Sequence, residues 1–312
     1  MLFWLQLITM EAMIPEIKKS EAVAAFPRRR PDSHKGNNGR VLIIGGSIDF
    51  YGAPILAALG ALKSGADLVY VIVPECNFDI TRSLYPDFIV RRYRGEHLNM
   101  AAIPMILELA QTCDAVLVGP GMGEAAASPA RGENAETMAA LDALIPQLTI
   151  PTILDSVAIM SLRRITQFPL NQDVMITPHL NEFVRLTDKP FMERDPEQLM
   201  EKKLRYCQNL ALDLQIGIFL KGPVDLIVST KGHAAMNRTG NAGMTVGGSG
   251  DVLAGFLTSL VARGVPMFEA AQSAAYIFGV CGERLAKERG YTFSATDLAS
   301  ELPFTIARMV KF

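Results

Sequence analysis

The sequence predicts an α/β fold built around a central, mostly parallel sheet. Three observations carry that expectation. Short apolar runs of strand length alternate with helix-forming segments over most of the chain, the pattern of a parallel sheet covered on both faces by helices. Several of these runs end in glycine-rich or polar turns, and open parallel sheets collect their ligands beyond the carboxyl ends of their strands. The richest turn, within residues 237–251, feeds directly into an apolar segment with helical spacing.

The first run, RVLIIGG at 40–46, reads as a strand buried on both faces and ends in Gly45-Gly46-Ser47. A helix follows from near Ala53, small-residued throughout (APILAALGALKSGA). DLVYVIVP at 67–74 is a second buried strand, and 86–92 a third. A helix over 98–111 leads to DAVLVG at 114–119, which opens on the turn PGMG. Helix signals over 133–148 precede PTILD at 151–155, a strand ending in a carboxylate, and DVMIT at 173–177, ending at Pro178-His179. Helical sequence returns at 196–214. Strands at 217–220 and 225–230, joined by KGPV, form a hairpin-like unit, and helices over 267–288 and 294–310 close the chain. Residues 20–39 are polar, basic and rich in turn formers, and read as loop. With no repeat and no low-complexity linker, the expectation is an extension over 1–34 and a single domain over 35–312, near the upper size for one core.

Composition narrows the function. An apolar fraction of 49% and a charged fraction of 20% are ordinary for a soluble globular protein. Thirty basic against 32 acidic residues give no electrostatic case for nucleic acid. Arg28-Arg29-Arg30 is a local solvated or phosphate-facing edge. Cysteines 76, 113, 207 and 281 include no CxxC pair and histidines 34, 97, 179 and 233 lack metal-ligand spacing, which argues against zinc and a disulfide framework and for a reducing cytoplasm. The apolar start MLFWLQLITM is too short to span a bilayer and lacks the basic flank of a secretory signal. It reads as a helix or strand packing on the body or on a neighbouring subunit.

The stretch NRTGNAGMTVGGSGDVLAG organises the chemistry. Glycines 240, 243, 247, 248 and 250 precede Asp251, and Val252, Leu253, Phe256, Leu257, Leu260 and Val261 follow at helical spacing. A glycine-rich loop entering a helix N-terminus aims backbone N–H groups at an anion. Asp251, in the first helical turn, is either a favourable helix-start carboxylate or a general base aimed at what the loop holds. The glycine density exceeds what a connector needs, which favours the second. No Lys-Ser/Thr follows the glycines and the G-x-G-x-x-G spacing is missing, so this is neither a Walker A nor a dinucleotide loop.

Other turns share the strand-end address, each with a plain structural alternative. Gly45-Gly46-Ser47 suits an ordinary strand-to-helix turn as well as a ligand site. Gly119-Pro120-Gly121-Met122-Gly123 has more glycine than termination requires. His179 in the run TPHLNE is a structural hydrogen-bonder or a contact, and Glu182 a cap partner or a site carboxylate. Lys221-Gly222 is a solvated strand end or part of a cradle.

TGNAGM, then GGSGD and VLAG, resembles the signature of the ADP/ATP-dependent NAD(P)H-hydrate dehydratases, a branch of the ribokinase-like superfamily. KGNNGRVLIIGGS, GPGMG, TPHLNE and KGPVD lie in the order of that family's elements, so the resemblance runs over about residues 35–264. It implies a three-layer αβα sandwich. It further implies Ala53, Gly121, Gly123, His179 and Asp251 at the substrate, and Lys221, Gly222, Pro223, Val224, Asp225 and Gly250 at the nucleotide. Asp251 would be the catalytic base, with Gly247, Gly248, Ser249 and Gly250 as anion hole and no protein-only metal site. The implied reaction is repair of the S epimer of NADHX or NADPHX, with Mg²⁺ and ADP or ATP as phosphoryl donor. ADP follows from standalone prokaryotic-type relatives. Implied partners are a homotetramer or larger homo-oligomer and a separate epimerase, since nothing before Lys35 is long enough to be one. The chain departs from the family's pattern at Asn181, usually glycine, and at Ser156-Val157, where LDADAL carries a second acid. Asn tolerates the left-handed backbone better than most residues. A ribokinase-like vitamin kinase acting on hydroxymethylpyrimidine, hydroxyethylthiazole or pyridoxal, and a non-catalytic nucleotide-binding protein, are the alternatives.

Overall fold

Each long apolar run becomes a strand of one nine-stranded sheet. The computed structural model describes residues 14–123 and 134–310; the apolar run 1–10 lies outside the described residues. The strands are β1 (Arg40–Ile44), β2 (Leu68–Pro74), β3 (Phe88–Tyr93), β4 (Ala115–Val118), β5 (Thr152–Leu154), β6 (Val174–Ile176), β7 (Gly217–Leu220), β8 (Asp225–Val228) and β9 (Ala234–Asn237). Their spatial order is β3-β2-β1-β4-β5-β6-β7-β8-β9. Every pair is parallel except β7–β8 and β8–β9. The hairpin expected at 217–230 is therefore present, and β9 is a further strand whose four residues show no alternation from which to read it.

The helices are α1 (Lys19–Ala25), α2 (Gly52–Lys63), α3 (Glu75–Leu84), α4 (Ile103–Ala110), α5 (Ala135–Leu144), α6 (Leu180–Thr187), α7 (Pro196–Leu214), α8 (Ser249–Ala262), α9 (Met267–Arg289) and α10 (Ala295–Met309). Side chains on successive strand positions enter opposite cores. Val41 and Ile43 join α2, α8 and α9 on one face, whereas Leu42 and Ile44 join α4, α5 and α7 on the other. That double burial is why the strands read as continuous apolar runs rather than alternating ones. The sandwich has three layers, αβα.

Residues 20–39 are not all loop. α1 forms there, with Ala22 and Phe26 buried in the α2/α8/α9 core and Ala22 O accepting from Ser273 Oγ of α9 at 2.8 Å. Just before it, Ile17 N donates to Met236 O and Met236 N to Pro15 O, which covers the outer edge of β9. The segment was too charged to signal a helix, and its burial comes from tertiary packing. Arg29 pairs with Asp67 at 2.8 Å and Arg30 with Asp32 at 2.6 Å, at the amino ends of the strands and away from the ligand face.

Strand order turns back between β1 and β4, the switch point at which such sheets open a crevice. The two turns there are bound together. Gly46 N donates to Pro120 O at 2.8 Å, and Ser47 Oγ donates to Gly123 O at 3.0 Å. Gly119 has φ +124, and a side chain on it would run into the Asp155 carbonyl, so glycine is needed for β4 and β5 to end side by side. Helix α8 is held equally closely: a Cβ on Gly255 would meet the Ala57 carbonyl of α2, and one on Gly60 the Val252 carbonyl of α8.

Candidate active site

Two clefts open at the carboxyl ends of the strands, and they meet at Asp251. The larger, about 700 Å³, is walled by the turn after β7, the loop leading into α8, and the Ala275–Gly279 stretch of α9. The smaller, about 330 Å³, lies over the switch point and is lined by Phe50, Ala53, Gly121, Gly123, Val157, Met160 and Arg185. Ser156, Glu182 and Asp251 line both.

Helix α8 explains the position of Asp251. Gly248 is its N-cap at φ +92, a left-handed turn natural only for glycine, and Asp251 falls in the first turn as its spacing predicts. The first-turn amides have no carbonyl one turn before them. Ser249 is the exception, since its N–H donates to Val246 O at 3.3 Å and its hydroxyl to Met244 O at 2.7 Å. The amides of Gly250 and Asp251 thus remain for an anion, whereas Ser249 braces the loop. A Cβ on Gly247 would meet nothing within 4 Å.

Lys221 stands at the centre of the charges. Pairing of β6 with β7 continues beyond the strands through the His179–Lys221 bridge, with Lys221 N donating to Pro178 O at 2.8 Å. Its ammonium donates to Asp155 Oδ1 at 2.9 Å, the two side chains being 18% and 5% exposed. Thr177 Oγ1 donates to the same carboxylate oxygen at 2.6 Å. Burial pulls the Lys221 pKa down, but the charges of Asp155, Glu182 and Asp251 and the Asp155 hydrogen bond outweigh it, so it stands above its ordinary value. Asp251 behaves oppositely. Burial, then the Asp155 charge and the Glu182 charge, push its carboxyl up to about 8 against the pull of Lys221. A carboxylate whose pKa is raised towards neutrality is a stronger base once ionised, which suits it to take a proton.

The neighbouring turns are fastened by hydrogen bonds. His179 is the N-cap of α6, its Nδ1 accepting from Glu182 N at 3.1 Å while Glu182 Oε2 accepts from His179 N at 2.8 Å; this is a reciprocal capping box. Asp225 accepts from Gly222 N and from Asn237 Nδ2, both at 3.0 Å, and burial raises its carboxyl to about 6 against these bonds. Ser156 sits at φ +53, a strained value for a serine, where the chain leaves β5 for the 3₁₀ helix Ser156–Arg163.

The structure brings most sequence-predicted residues together and divides them between the clefts. Ala53, Gly121 and Gly123 line the smaller, and Lys221, Gly222, Pro223, Asp225, Gly248, Ser249 and Gly250 the larger. His179 lines the larger cleft, on the side of Lys221. Val224 and Gly247 line neither, Val224 packing instead on the α7-side core. Phe50, Met160 and Arg185 are not among the predicted site residues, whereas the sequence marks Asp155 only as a strand-end carboxylate and Glu182 as a cap partner or a site carboxylate. Nothing local marks Met160 or the α9 wall. Among the described residues no group of three or more His, Cys, Asp or Glu side chains is placed to hold a metal ion alone.

A parallel αβα sandwich with a glycine-rich helix entrance and a first-turn carboxylate at the strand ends defines the ribokinase-like class. A ribokinase-like superfamily protein of Enterococcus faecalis is 26% identical, with a TM-score of 0.81 over 96% of this chain and 97% of that one. Residues 41–304 match the family model of NAD(P)H-hydrate dehydratase, and the chain belongs to that family. An ADP-dependent (S)-NAD(P)H-hydrate dehydratase of Cenarchaeum symbiosum is 35% identical over 278 residues, 89% of this chain and 91% of that protein. The ADP/ATP-dependent NAD(P)H-hydrate dehydratase of Bacillus subtilis, co-crystallised with ATP/Mg²⁺, has a TM-score of 0.79 at 28% identity, over 95% of this chain and 99% of that one. The chain spans about half the length of the bifunctional NAD(P)H-hydrate repair enzymes it also matches. That of Methanothermobacter thermautotrophicus is 36% identical over 281 residues, 51% of its length.

Proposed function

We propose that the chain is an ADP-dependent (S)-NAD(P)H-hydrate dehydratase. The observation that carries this reading is the meeting of two clefts at one carboxylate, Asp251, with an anion-binding helix end on one side. The nucleotide occupies the larger cleft. Its phosphates lie against the first-turn amides of α8 and the loop glycines 248 and 250, and Lys221, Gly222 and Asp225 face its phosphate and ribose side, with Pro223 and Val224 forming the turn. The hydrated nicotinamide enters the smaller cleft over Ala53, Gly121 and Gly123, with His179 capping the helix that carries Glu182.

Asp251 takes the proton of the substrate hydroxyl as that oxygen bonds to the terminal phosphorus of ADP. The phosphorus–oxygen bond to AMP breaks, and AMP leaves with its electron pair. The ring carbon–oxygen bond then breaks with phosphate departing, a proton leaves the neighbouring carbon, and the ring double bond is restored. The sum converts hydrate and ADP to NAD(P)H, AMP, phosphate and a proton. Such transfers depend on positioning and on charge stabilisation, which the amides and Lys221 supply. Mg²⁺, when bound, neutralises phosphate charge. Asp155 and Glu182, which line the larger cleft with Lys221, would be the residues to hold the ion.

A homotetramer or larger assembly belongs to the proposal, supported by the exposed apolar Ile48, Phe50 and Tyr51 at the turn before α2; a monomer in light scattering would remove it. A cytoplasmic setting is part of it as well, Cys113, Cys207 and Cys281 being buried free thiols. No helix among the described residues is long and apolar enough to cross a membrane. The other epimer of the hydrate would reach this site through an epimerase. The test is recovery of the reduced-nicotinamide absorbance band from NADHX with Mg²⁺ and either ADP or ATP. Recovery with ADP is expected. No recovery, alongside phosphorylation of hydroxymethylpyrimidine, hydroxyethylthiazole or pyridoxal, would replace the reading with a vitamin kinase.

A further inference from the structure

The smaller cleft has an electrostatic problem that one residue answers. Its inner end presents two carboxylates, Glu182 and Asp251, and its remaining wall is largely apolar, from Phe50, Val157 and Met160. A dinucleotide hydrate carries a diphosphate bridge, and a dianion brought towards the Glu182 carboxylate, and towards Asp251 once that base has ionised, needs a cation near it. Lys221 does not serve, because it lines the other cleft. Among the described residues, Arg185 is the one cation lining the smaller cleft.

Arg185 is also placed where the bridge must emerge. At about 330 Å³ the cleft is at the small end for a ligand pocket, enough for the hydrated ring and its sugar but not for a whole dinucleotide. Arg185 follows Glu182 by three residues on α6, a spacing that puts both on one face of a helix. Glu182 is largely buried at the junction with Asp251, whereas Arg185 is exposed, on the solvent side. We propose that Arg185 is the specificity-determining residue that binds the diphosphate of the hydrate as it leaves the cleft, fixing the ring hydroxyl against Asp251. A guanidinium suits the task, since its planar fork pairs with two phosphate oxygens at once.

The inference rests on the dehydratase reading, and the experiment separates the two. Steady-state kinetics of Arg185→Gln and Arg185→Lys would be measured with NADHX, and again with hydrated nicotinamide riboside, which lacks phosphate. Loss of charge-assisted hydrogen bonds predicts a KM for NADHX raised on the order of ten- to a hundredfold in Arg185→Gln, with Arg185→Lys between it and wild type. The KM for ADP and the melting temperature stay at wild-type values, and the riboside hydrate is turned over alike by all three proteins. An unchanged KM for NADHX in Arg185→Gln overturns the assignment while leaving the dehydratase reading intact. An equal loss on the riboside hydrate does so too, since it would mean that Arg185 only shapes α6. A wild type silent on NADHX removes both.

Discussion

Replacing Asp251 with Asn should abolish turnover and stabilise the fold, and the gain should grow with pH. Burial and the Asp155 and Glu182 charges raise the Asp251 carboxyl to about 8, so the folded state holds its proton over a range in which the unfolded chain has released it. Linkage then requires the wild type to lose stability as pH rises from about 4 to about 8, and to lose no more above that. At about 1.36 kcal/mol per unit, the rise from pH 6 to pH 8 alone costs at most ~3 kcal/mol. Solvent in the open clefts and the pull of Lys221 reduce this to roughly 1–2 kcal/mol. Asn is nearly isosteric and does not ionise. The melting temperature of Asp251→Asn, relative to wild type, should therefore exceed its pH 6 value by about 2–3 °C at pH 8.5, for a chain of this size. Turnover of NADHX should fall by at least ~10²-fold, the usual worth of a positioned base. In the wild type the ascending limb of kcat/KM should lie well above the ordinary carboxylate range. A stability gain identical at both pH values, or a variant less stable at alkaline pH, would refute the reasoning, because either means that Asp251 is not held neutral by its surroundings.

Removing Asp155 tests the same cluster from the other side. Asp155→Asn breaks the buried pair with Lys221 and should cost ~2–4 kcal/mol in urea unfolding. It also frees Lys221 for Asp251 and deletes a like charge, so the acidic limb of kcat/KM should move to lower pH; a limb that stays put would detach Asp155 from the base. Asp225 has its carboxyl raised to about 6 by burial and fastens Gly222 and Asn237. The KM for ADP should therefore climb below pH 6 as the carboxyl gains a proton, and Asp225→Asn should raise it several-fold and flatten that dependence. A pH-independent KM in the wild type would count against this. Gly255→Ala would drive a methyl into the Ala57 carbonyl of α2. Overpacking of this kind costs roughly 1–3 kcal/mol, and because Asp251 lies one turn upstream on α8, turnover should fall with the melting temperature. A variant with wild-type melting and turnover would show that the two helices separate freely.

The sequence made legible what periodicity and backbone chemistry write locally. Double burial turns β1, β2 and β4 into continuous apolar runs, and glycine appears where the chain needs left-handed backbone or a carbonyl passes close by, as at Gly119 and Gly248. Those two signals suffice to place the ligand face and the first-turn carboxylate. They fail where tertiary contact decides. α1 is charged and short, yet Ala22 and Phe26 seat it on α9 and α8; β9 exists because β8 and residues 15–17 flank it. The division of the site into two clefts was equally hidden, since it depends on which faces of α6, α9 and the 3₁₀ helix Ser156–Arg163 turn inwards.

The two departures from the family pattern gain a physical meaning only from that division. Asn181 is exposed in the first turn of α6, and the backbone there is ordinary helix, so a side chain is accommodated without strain. Val157 is different. It lines the smaller cleft next to Ser156, so the second acid of the LDADAL pattern is replaced by an apolar wall beside Asp251. An acid there would add negative charge to a cleft already holding Glu182 and Asp251, raising the Asp251 carboxyl further and opposing an anionic substrate. With valine, the proton-accepting limb rests on burial and on the charges of Asp155, Glu182 and Lys221. The charge balance of the cleft then falls to Arg185, the residue on which the substrate's own charge is expected to act.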